Sequence, residues 1–354
     1  MRSSRRLVPA VPLAALALAA ALLTPGVTPL AGSDAQAAPT AAATVATTAQ
    51  EASRTPAAQT PDRRRLPSLT EYVALGDSWT ADVVLVNRDG VPDTTHVPVD
   101  CAQSHHNYPK IVAEALGADR FRDASCGSAT TRDFRRPQTG LPLGGTNPPQ
   151  FDRLTRRTEL VTIGIGGNDA GIASAGLDCL GVLPVDNPLT DSGAGLPFGG
   201  CKAKYTAGGT DQLAEQIRAS EIKLVRAFRA VHRLAPRARV LVLDYMDVIP
   251  DHGCYPTVPA SDEDMAYIAA KFRQLNRMVE RAARRGGAEF VDTFSHTGGH
   301  DLCQDPVTRW AETYGPSVND PAVGVPAHPN AAGARAQAAV LLQYLRDTEC
   351  YSCS

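Results

Sequence analysis

From residue 69 onward, short apolar runs alternate with longer segments that have one apolar and one polar face. The short runs are rich in Val, Ile, Leu and Tyr and are bounded by Gly, Pro, Asp or Arg, which is typical of buried parallel strands. They lie at residues 72–75, 160–165, 240–245 and 289–291. We therefore predict a parallel sheet in the core of the domain.

Between the predicted strands, apolar residues recur mostly at helical spacing in three longer segments. These predicted helices span residues 210–234, 262–285 and about 330–346. The second has clear end signals, since Ser261 is an N-cap and two glycines, at 286 and 287, form a stop. Strands that alternate with helices predict an α/β protein, with a parallel sheet covered on both faces in a three-layer α/β/α domain.

The amino-terminal part of the chain has a different pattern. Three arginines precede an apolar stretch at 7–23, and small residues around Ala37 offer a cleavage site, so residues 1–37 are predicted to be a secretory signal peptide. An uncleaved membrane anchor is the alternative, but alanines dominate this stretch and prolines interrupt it. Residues 38–68 contain almost no large apolar side chains and are predicted to be a disordered linker. The folded domain is then 69–354.

Composition and charge exclude some kinds of partner. The chain has 35 Lys and Arg against 37 Asp and Glu, a net charge of −2, and no run of like charge is longer than Arg63-Arg64-Arg65. Because no basic surface is indicated, we expect no nucleic-acid partner. After the amino terminus no apolar stretch is long enough to span a membrane.

Eight cysteines follow the predicted signal peptide, and an even number in an exported chain indicates disulfides. Many connectivities are open, and nearest-neighbour pairing is the simplest: Cys101–Cys126, Cys179–Cys201 and Cys254–Cys303. Cys350 and Cys353 could pair locally or form a redox Cys-x-x-Cys, although no thioredoxin-like context surrounds them. Zinc ligation by the third pair with nearby histidines is disfavoured in an exported chain.

Two groups of residues follow predicted strands, at the edge where parallel sheets bind ligands. Gly76-Asp77-Ser78 comes after the first strand, and Gly166-Gly167-Asn168-Asp169 comes after the second. A serine there could act as a nucleophile, and an asparagine amide could donate to an oxyanion. Taken alone, each group is equally consistent with an ordinary turn.

Two further residues complete a possible site. His328 lies in a loop just before the last helix, where an imidazole could act as a base. Gly127 follows Cys126 and could offer its backbone N–H to a developing negative charge. Either residue alone is weak evidence, since most loop histidines are simply solvated.

Together and in this order, the blocks 76–78, Gly127, 166–169 and 328–329 resemble those of the SGNH hydrolases, also called the GDSL esterase and lipase family. The resemblance spans residues 71–346. It implies an SGNH hydrolase-like fold, with Ser78 as the nucleophile and His328 as its base. It also implies an oxyanion hole made by the N–H groups of Ser78 and Gly127 and the amide of Asn168.

The six central cysteines, "NYP" at 107–109 and "HDLC" at 300–303 resemble the secreted actinobacterial branch of these esterases and lipases. The disulfide pattern of that branch is the nearest-neighbour one.

Two positions depart from the family. Trp79 follows the serine in place of leucine or tyrosine, and Val325 stands where an aspartate usually precedes the histidine by three residues. A backbone carbonyl, that of Val325, is then expected to orient His328, with the carboxylate of Asp320 as the alternative.

These observations predict a secreted serine esterase or lipase that hydrolyses lipid or short-chain acyl esters through an acyl-enzyme on Ser78. A carbohydrate O-deacetylase shares the same blocks, and a non-catalytic extracellular binding domain could keep the same scaffold. We expect no cofactor and no metal. We also expect a monomer whose partner is a small-molecule or lipid ester, with at most transient contact with a lipid interface.

Overall fold

The computed structural model describes residues 68–85, 92–180, 200–313, 315–319 and 322–349. The predicted signal peptide (1–37) and all but the last residue of the predicted linker (38–68) lie outside this part of the chain. Cys350, Cys353 and Asp320 also lie outside it. The expectations about these residues stay predictions.

Five parallel strands form one central sheet. In chain order they are β1 (Glu71–Gly76), β2 (Arg120–Asp123), β3 (Leu160–Gly164), β4 (Arg239–Leu243) and β5 (Glu289–Val291). Their order in the sheet is β2-β1-β3-β4-β5, so β1 and β3 are neighbours at its centre. The last pair of this ladder joins Gly76 to Gly164, and the segments that follow β1 and β3 therefore leave the sheet side by side.

The described residues also contain seven α-helices, which follow or connect the strands. They are α1 (Ser78–Ala81), α2 (Tyr108–Ala115), α3 (Ile172–Cys179), α4 (Cys201–Thr206), α5 (Gln212–Leu234), α6 (Asp262–Gly286) and α7 (Ala331–Glu349). A short antiparallel ribbon, β6 (Gly315–Pro316) and β7 (Val323–Gly324), precedes α7. None of the described helices combines the length and apolar character that crossing a membrane requires.

The helices cover both faces of the sheet, because alternate side chains of each strand point to opposite faces. On one face Tyr72 and Ala74 of β1 pack with apolar residues of α2 and α7. On the other face Val73 and Leu75 pack in a larger cluster with residues of α3, α5 and α6. The prediction of a three-layer α/β/α domain with a parallel sheet is confirmed.

Local signals fix the helix ends. The Ser261 hydroxyl accepts from the N–H of Asp264 at the start of α6, and Gly287 closes its end with φ of 82°. At α5 the cap is Asp211, which accepts from the N–H of Ala214. The strand β2 was not predicted, because its sequence Arg-Phe-Arg-Asp has no apolar run and lies at the sheet edge.

Three disulfides join Cys101 to Cys126, Cys179 to Cys201 and Cys254 to Cys303. These are the nearest-neighbour pairs. The first holds two loop segments with their Cα atoms 4.3 Å apart, beside the end of β1. The third spans 49 residues of sequence and ties the segment that precedes the ribbon to the chain after β4.

Candidate active site

Ser78 begins the short helix α1 directly after the buried strand β1. Asp77 caps this helix, since its Oδ1 accepts from the N–H of Trp79 at 3.0 Å. Gly76 is required here because a Cβ would lie 2.4 Å from the Thr80 Cβ and 2.6 Å from the Gly164 carbonyl oxygen. The chain therefore turns tightly at the sheet edge and presents Ser78 at the carboxyl end of the strand.

His328, in the loop before α7, lies next to this serine. Its Nε2 lies 2.8 Å from the Ser78 Oγ, although the two residues are 250 positions apart. Its Nδ1 lies 2.9 Å from the carbonyl oxygen of Pro326. Because a carbonyl only accepts, Nδ1 carries the ring proton, and Nε2 is left as an acceptor for the serine hydroxyl.

The prediction that the Val325 carbonyl orients the imidazole is wrong. That carbonyl accepts from the main-chain N–H of His328 at 3.2 Å. Ala327 has a positive φ of 57°, and this turn brings the carbonyl of Pro326 to the ring. Among the described residues no carboxylate bonds to Nδ1, and the alternative, Asp320, lies outside them.

The surroundings of His328 favour its neutral form. The side chain keeps some exposed surface but is densely surrounded by protein, and this desolvation lowers the pKa of the imidazole to about 4. The hydrogen bond to the Pro326 carbonyl acts in the opposite direction. The imidazole is therefore available as a base at neutral pH.

The expected oxyanion donors are not all free. The N–H of Ser78 donates to no group among the described residues. Asn168 uses one amide hydrogen on the Ala129 carbonyl at 2.9 Å and retains the other. Asp169 holds this turn, because its carboxylate accepts from the N–H and hydroxyl of Thr131 at 2.8 and 2.7 Å.

The prediction that Gly127 offers a free N–H is wrong. Its N–H donates to the Cys101 carbonyl at 3.0 Å, because the Cys101–Cys126 disulfide draws these two segments together. Its carbonyl accepts from the Gln138 amide at 2.7 Å. The next residue, Ser128, is exposed, has a positive φ of 63°, and its N–H donates to no group in the part of the chain described.

A buried tyrosine, which sequence reasoning missed, joins the two turns at the sheet edge. The Tyr245 hydroxyl lies 2.6 Å from Asp77 Oδ2 and 2.7 Å from the N–H of Gly167. Desolvation raises the pKa of Asp77 to about 7, against the lowering effect of its hydrogen bonds from Tyr245 and Trp79. Tyr245 was predicted only as the end of a strand, and nothing local marked its hydroxyl.

Gln150, the first residue of a short 3₁₀-helix (Gln150–Arg153), holds the end of β1. Its amide oxygen accepts from the N–H of Gly76 and its amide nitrogen donates to the Gly76 carbonyl, both at 2.8 Å. Gln150 is fully buried, so its side chain acts as a peptide-like partner for the last residue of the strand. Gln138, from the same connection between β2 and β3, holds Gly127.

The segment that carries His328 is attached by its backbone to Glu312. The N–H of Glu312 donates to the His328 carbonyl at 3.0 Å, and the N–H of Ala327 donates to the Glu312 carbonyl at 2.8 Å. The Glu312 side chain pairs with Arg309 at 3.0 Å, and both are at least nine-tenths buried. Asn330 donates to Glu312 Oε1 at 2.9 Å and to the Arg309 carbonyl at 3.0 Å.

Aromatic rings pack beside the serine. The Trp79 ring contacts Tyr245 edge-on at 5.2 Å between centroids and lies 5.9 Å from Phe272 and 6.3 Å from His328. The indole is 7% exposed. Trp79 is therefore part of the wall beneath the Ser78–His328 pair.

No group of three or more His, Cys, Asp or Glu residues with the arrangement of a metal site occurs in the described ranges. The cysteines considered as zinc ligands, Cys254 and Cys303, form a disulfide.

A parallel α/β/α sheet that brings a serine and a histidine together at the carboxyl ends of its strands is the architecture of a serine hydrolase. Comparison with known proteins narrows this class. A sequence model of the GDSL-like lipase/acylhydrolase family matches residues 74–336. The chain belongs to this family, whose members are carboxylic ester hydrolases.

Similar proteins come from Streptomyces. Lipase 2 of Streptomyces coelicolor is 35% identical over 274 residues, which cover 76% of this chain and 83% of that protein. An extracellular lipase structure from Streptomyces rimosus has a TM-score of 0.55 at 26% identity, covering 77% of this chain and 99% of that one. The phospholipase A1 structure from Streptomyces albidoflavus shares the fold, with a TM-score of 0.56, 24% identity, and coverage of 78% of this chain and 99% of that one.

Proposed function

We propose that the protein is a secreted serine esterase or lipase that cleaves carboxylic esters through an acyl-enzyme on Ser78. The observation that carries this proposal is the 2.8 Å contact between His328 Nε2 and Ser78 Oγ. The Pro326 carbonyl supports it by fixing the tautomer in which Nε2 can accept the serine proton.

In the first half of the reaction, Ser78 Oγ attacks the ester carbonyl carbon while His328 Nε2 takes the hydroxyl proton. The carbonyl electron pair moves to oxygen and gives a tetrahedral oxyanion. When the intermediate collapses, the alcohol leaves with the proton from Nε2, and the acyl group stays on Ser78. Water, deprotonated by the same nitrogen, then releases the acid and restores the serine.

We assign the oxyanion hole to three donors: the N–H of Ser78, the second amide hydrogen of Asn168 and the N–H of Ser128. The last replaces Gly127, whose N–H is bonded to Cys101. Asn168 is bonded to the carbonyl of Ala129, the residue that follows Ser128, so these donors come from adjacent turns. Removing one such donor costs about 3–4 kcal/mol of transition-state stabilisation in a well-studied protease.

The substrates that we propose are lipid or short-chain acyl esters. The names of similar Streptomyces proteins, which include lipases and an esterase, support this class. The mechanism assigned here uses only side chains and backbone of this chain, without a metal or cofactor. We also propose a monomer that meets a lipid interface at most transiently and does not bind nucleic acid.

Secretion is part of the proposal. Residues 1–37 would be removed as a signal peptide, 38–68 would act as a linker, and 69–354 would be the hydrolase domain. The three disulfides support an oxidising compartment, and the similar lipase of Streptomyces rimosus is described as extracellular.

Hydrolysis of a graded series of acyl esters tests this function on protein expressed without residues 1–37. We expect turnover with at least one aliphatic ester and a loss of about 1,000-fold or more in kcat for Ser78→Ala. Ser174→Ala, an exposed serine on α3, is the matched control and should retain full activity. A substrate limited to acetylated carbohydrate would favour the O-deacetylase, and no hydrolysis of any ester would favour a binding domain.

A further inference from the structure

The Tyr245 hydroxyl occupies a position that packing alone does not explain. The ring packs edge-on against Trp79 and Phe272, and a phenylalanine ring would fill the same space. The hydroxyl itself bridges two segments far apart in sequence, Asp77 at 168 residues and Gly167 at 78 residues. Each of these residues directly precedes a residue of the site, Ser78 or Asn168.

The donor and acceptor roles in both hydrogen bonds of this hydroxyl are fixed by its partners. The backbone N–H of Gly167 can only donate, so the Tyr245 oxygen accepts from it, and the hydroxyl hydrogen is directed to Asp77. The other carboxylate oxygen of Asp77 accepts from Trp79 N–H at 3.0 Å. The arrangement is therefore complete only while Asp77 is ionised, since a proton on Oδ2 would leave the tyrosine hydrogen without an acceptor.

We propose that Tyr245 is a positioning residue, whose hydroxyl couples the turn that carries Ser78 to the turn that carries Asn168 and holds the two in register. This inference rests on the proposed function, because both turns matter only if Ser78 is acylated. The attacking oxygen and the oxyanion donors must be held relative to each other. Close to the sheet, the Asp77 N–H donates to the Gly164 carbonyl at 3.0 Å, and the Gly166 N–H donates to the Asp77 carboxylate. Tyr245 adds a side-chain link farther from the sheet, because it reaches Gly167, the residue directly before Asn168.

The close approach of Tyr245 to Gly167 supports this positioning role. A Cβ on Gly167 would lie 3.0 Å from the Tyr245 oxygen and 3.3 Å from its ring, so the absence of a side chain lets the tyrosine reach the backbone. Tyr245 is 4% exposed and Asp77 is 2% exposed. The hydrogen bond between them is therefore shielded from solvent.

The link has a consequence for the pH dependence of activity. The groups that face Asp77 are Tyr245, Tyr108, Asp169 and, across Ser78, His328. Burial raises the pKa of both tyrosines, which stay protonated at neutral pH, and lowers the pKa of His328 to about 4. Asp77, with its pKa near 7, then sets the acid limb of kcat/KM, and loss of the tyrosine donor would raise that pKa further.

Tyr245→Phe tests the inference, with Tyr72→Phe as the matched control. Tyr72 is also fully buried, and its hydroxyl bonds to Thr162 at 2.7 Å on the opposite face of the sheet. For Tyr245→Phe we expect kcat at pH 7 to fall about 10- to 100-fold, with KM within about threefold of wild type. The pH midpoint of the acid limb of kcat/KM should rise by about one unit. Tyr72→Phe should lower the melting temperature comparably and leave kcat and the limb unchanged.

Asp77→Asn gives a second readout that does not depend on the tyrosine variant. In the pH profile of kcat/KM, this variant should lose the fall in activity near pH 7 and keep the fall near pH 4, which reflects protonation of His328. Wild-type kcat and an unmoved limb in Tyr245→Phe, or an equal loss in Tyr72→Phe, would overturn the inference while the proposed function stands. An inactive wild type would overturn both.

Discussion

The two halves of the site are held in different ways. Ser78 stands at the end of a strand at the centre of the sheet, and its turn is bonded to neighbouring backbone through Gln150 and Tyr245. This nucleophile region, residues 76–80, contains Gly76, which tolerates no Cβ. His328 instead lies outside the sheet, on a loop whose backbone pairs with Glu312.

The difference shows how each half obtains its geometry. The nucleophile region obtains its geometry from the end of a central strand and from two buried side chains, Gln150 and Tyr245, that bond to it. The histidine region, the described residues of 309–330, obtains its geometry from a buried ion pair and an asparagine, Arg309, Glu312 and Asn330. The strands described in this region are only two residues long. We therefore expect changes in the first region to act mainly on rate and changes in the second to act more on stability.

The largest effect should come from removing either end of the contact that joins the two regions. His328→Ala should lower kcat about 1,000-fold or more, and the double variant with Ser78→Ala should lose little more, because the two side chains act as one unit. His296→Ala, an exposed histidine, is the control. Additive losses in the double variant, measured by steady-state kinetics, would show that the regions act independently.

A smaller loss is expected when the strand end loses its side-chain partner. Gln150→Met removes both hydrogen bonds to Gly76 and should lower kcat about tenfold, because the turn that carries Ser78 is no longer fixed. Gln103→Met is the matched control, since Gln103 is also fully buried but bonds to Ser125 and Lys110. An equal loss of kcat in both variants would mean that destabilisation alone accounts for the effect.

In the histidine region the expected loss shifts from rate to stability. Glu312→Gln leaves Arg309 without its buried counter-ion and should cost about 3–5 kcal/mol of unfolding free energy. The backbone pairing with His328 remains, so we expect kcat at 25 °C to fall only about threefold.

Calorimetry and steady-state kinetics together check this prediction. Glu289→Gln, in the half-exposed pair with Arg239, should cost no more than about 1 kcal/mol. A loss of rate in Glu312→Gln as large as that in Gln150→Met, without a drop in melting temperature, would mean that this ion pair acts on rate and not on stability.

The smallest effect concerns Val325. Its carbonyl bonds to the main-chain N–H of His328, and its side chain takes no part in orienting the ring. Val325→Ala should therefore keep kcat within about twofold of wild type. A fall of tenfold or more in steady-state assays would mean that this side chain helps to orient the imidazole.

The same contrast separates the features that could be predicted from the sequence from those that could not. Four of the five sheet strands, the long helices and the residues Ser78, Asn168 and His328 carry local signals: apolar runs, caps and short motifs. The carbonyl that orients His328 depends on the positive φ of Ala327, and the N–H of Gly127 is diverted by a disulfide partner. Side-chain links such as those of Gln150 and Tyr245 depend on contacts over more than 70 residues, which one sequence does not reveal.

Covalent labelling shows directly whether Ser78 is the acylated residue and His328 its base. An ester-like fluorophosphonate is allowed to react with the mature protein, and the modified peptide is mapped by mass spectrometry. We expect one phosphonyl group per chain, on Ser78, and labelling at least 100-fold slower in His328→Ala. Labelling at another residue would show that Ser78 is not the nucleophile, and labelling of Ser78 at an unchanged rate without His328 would show that His328 is not its base.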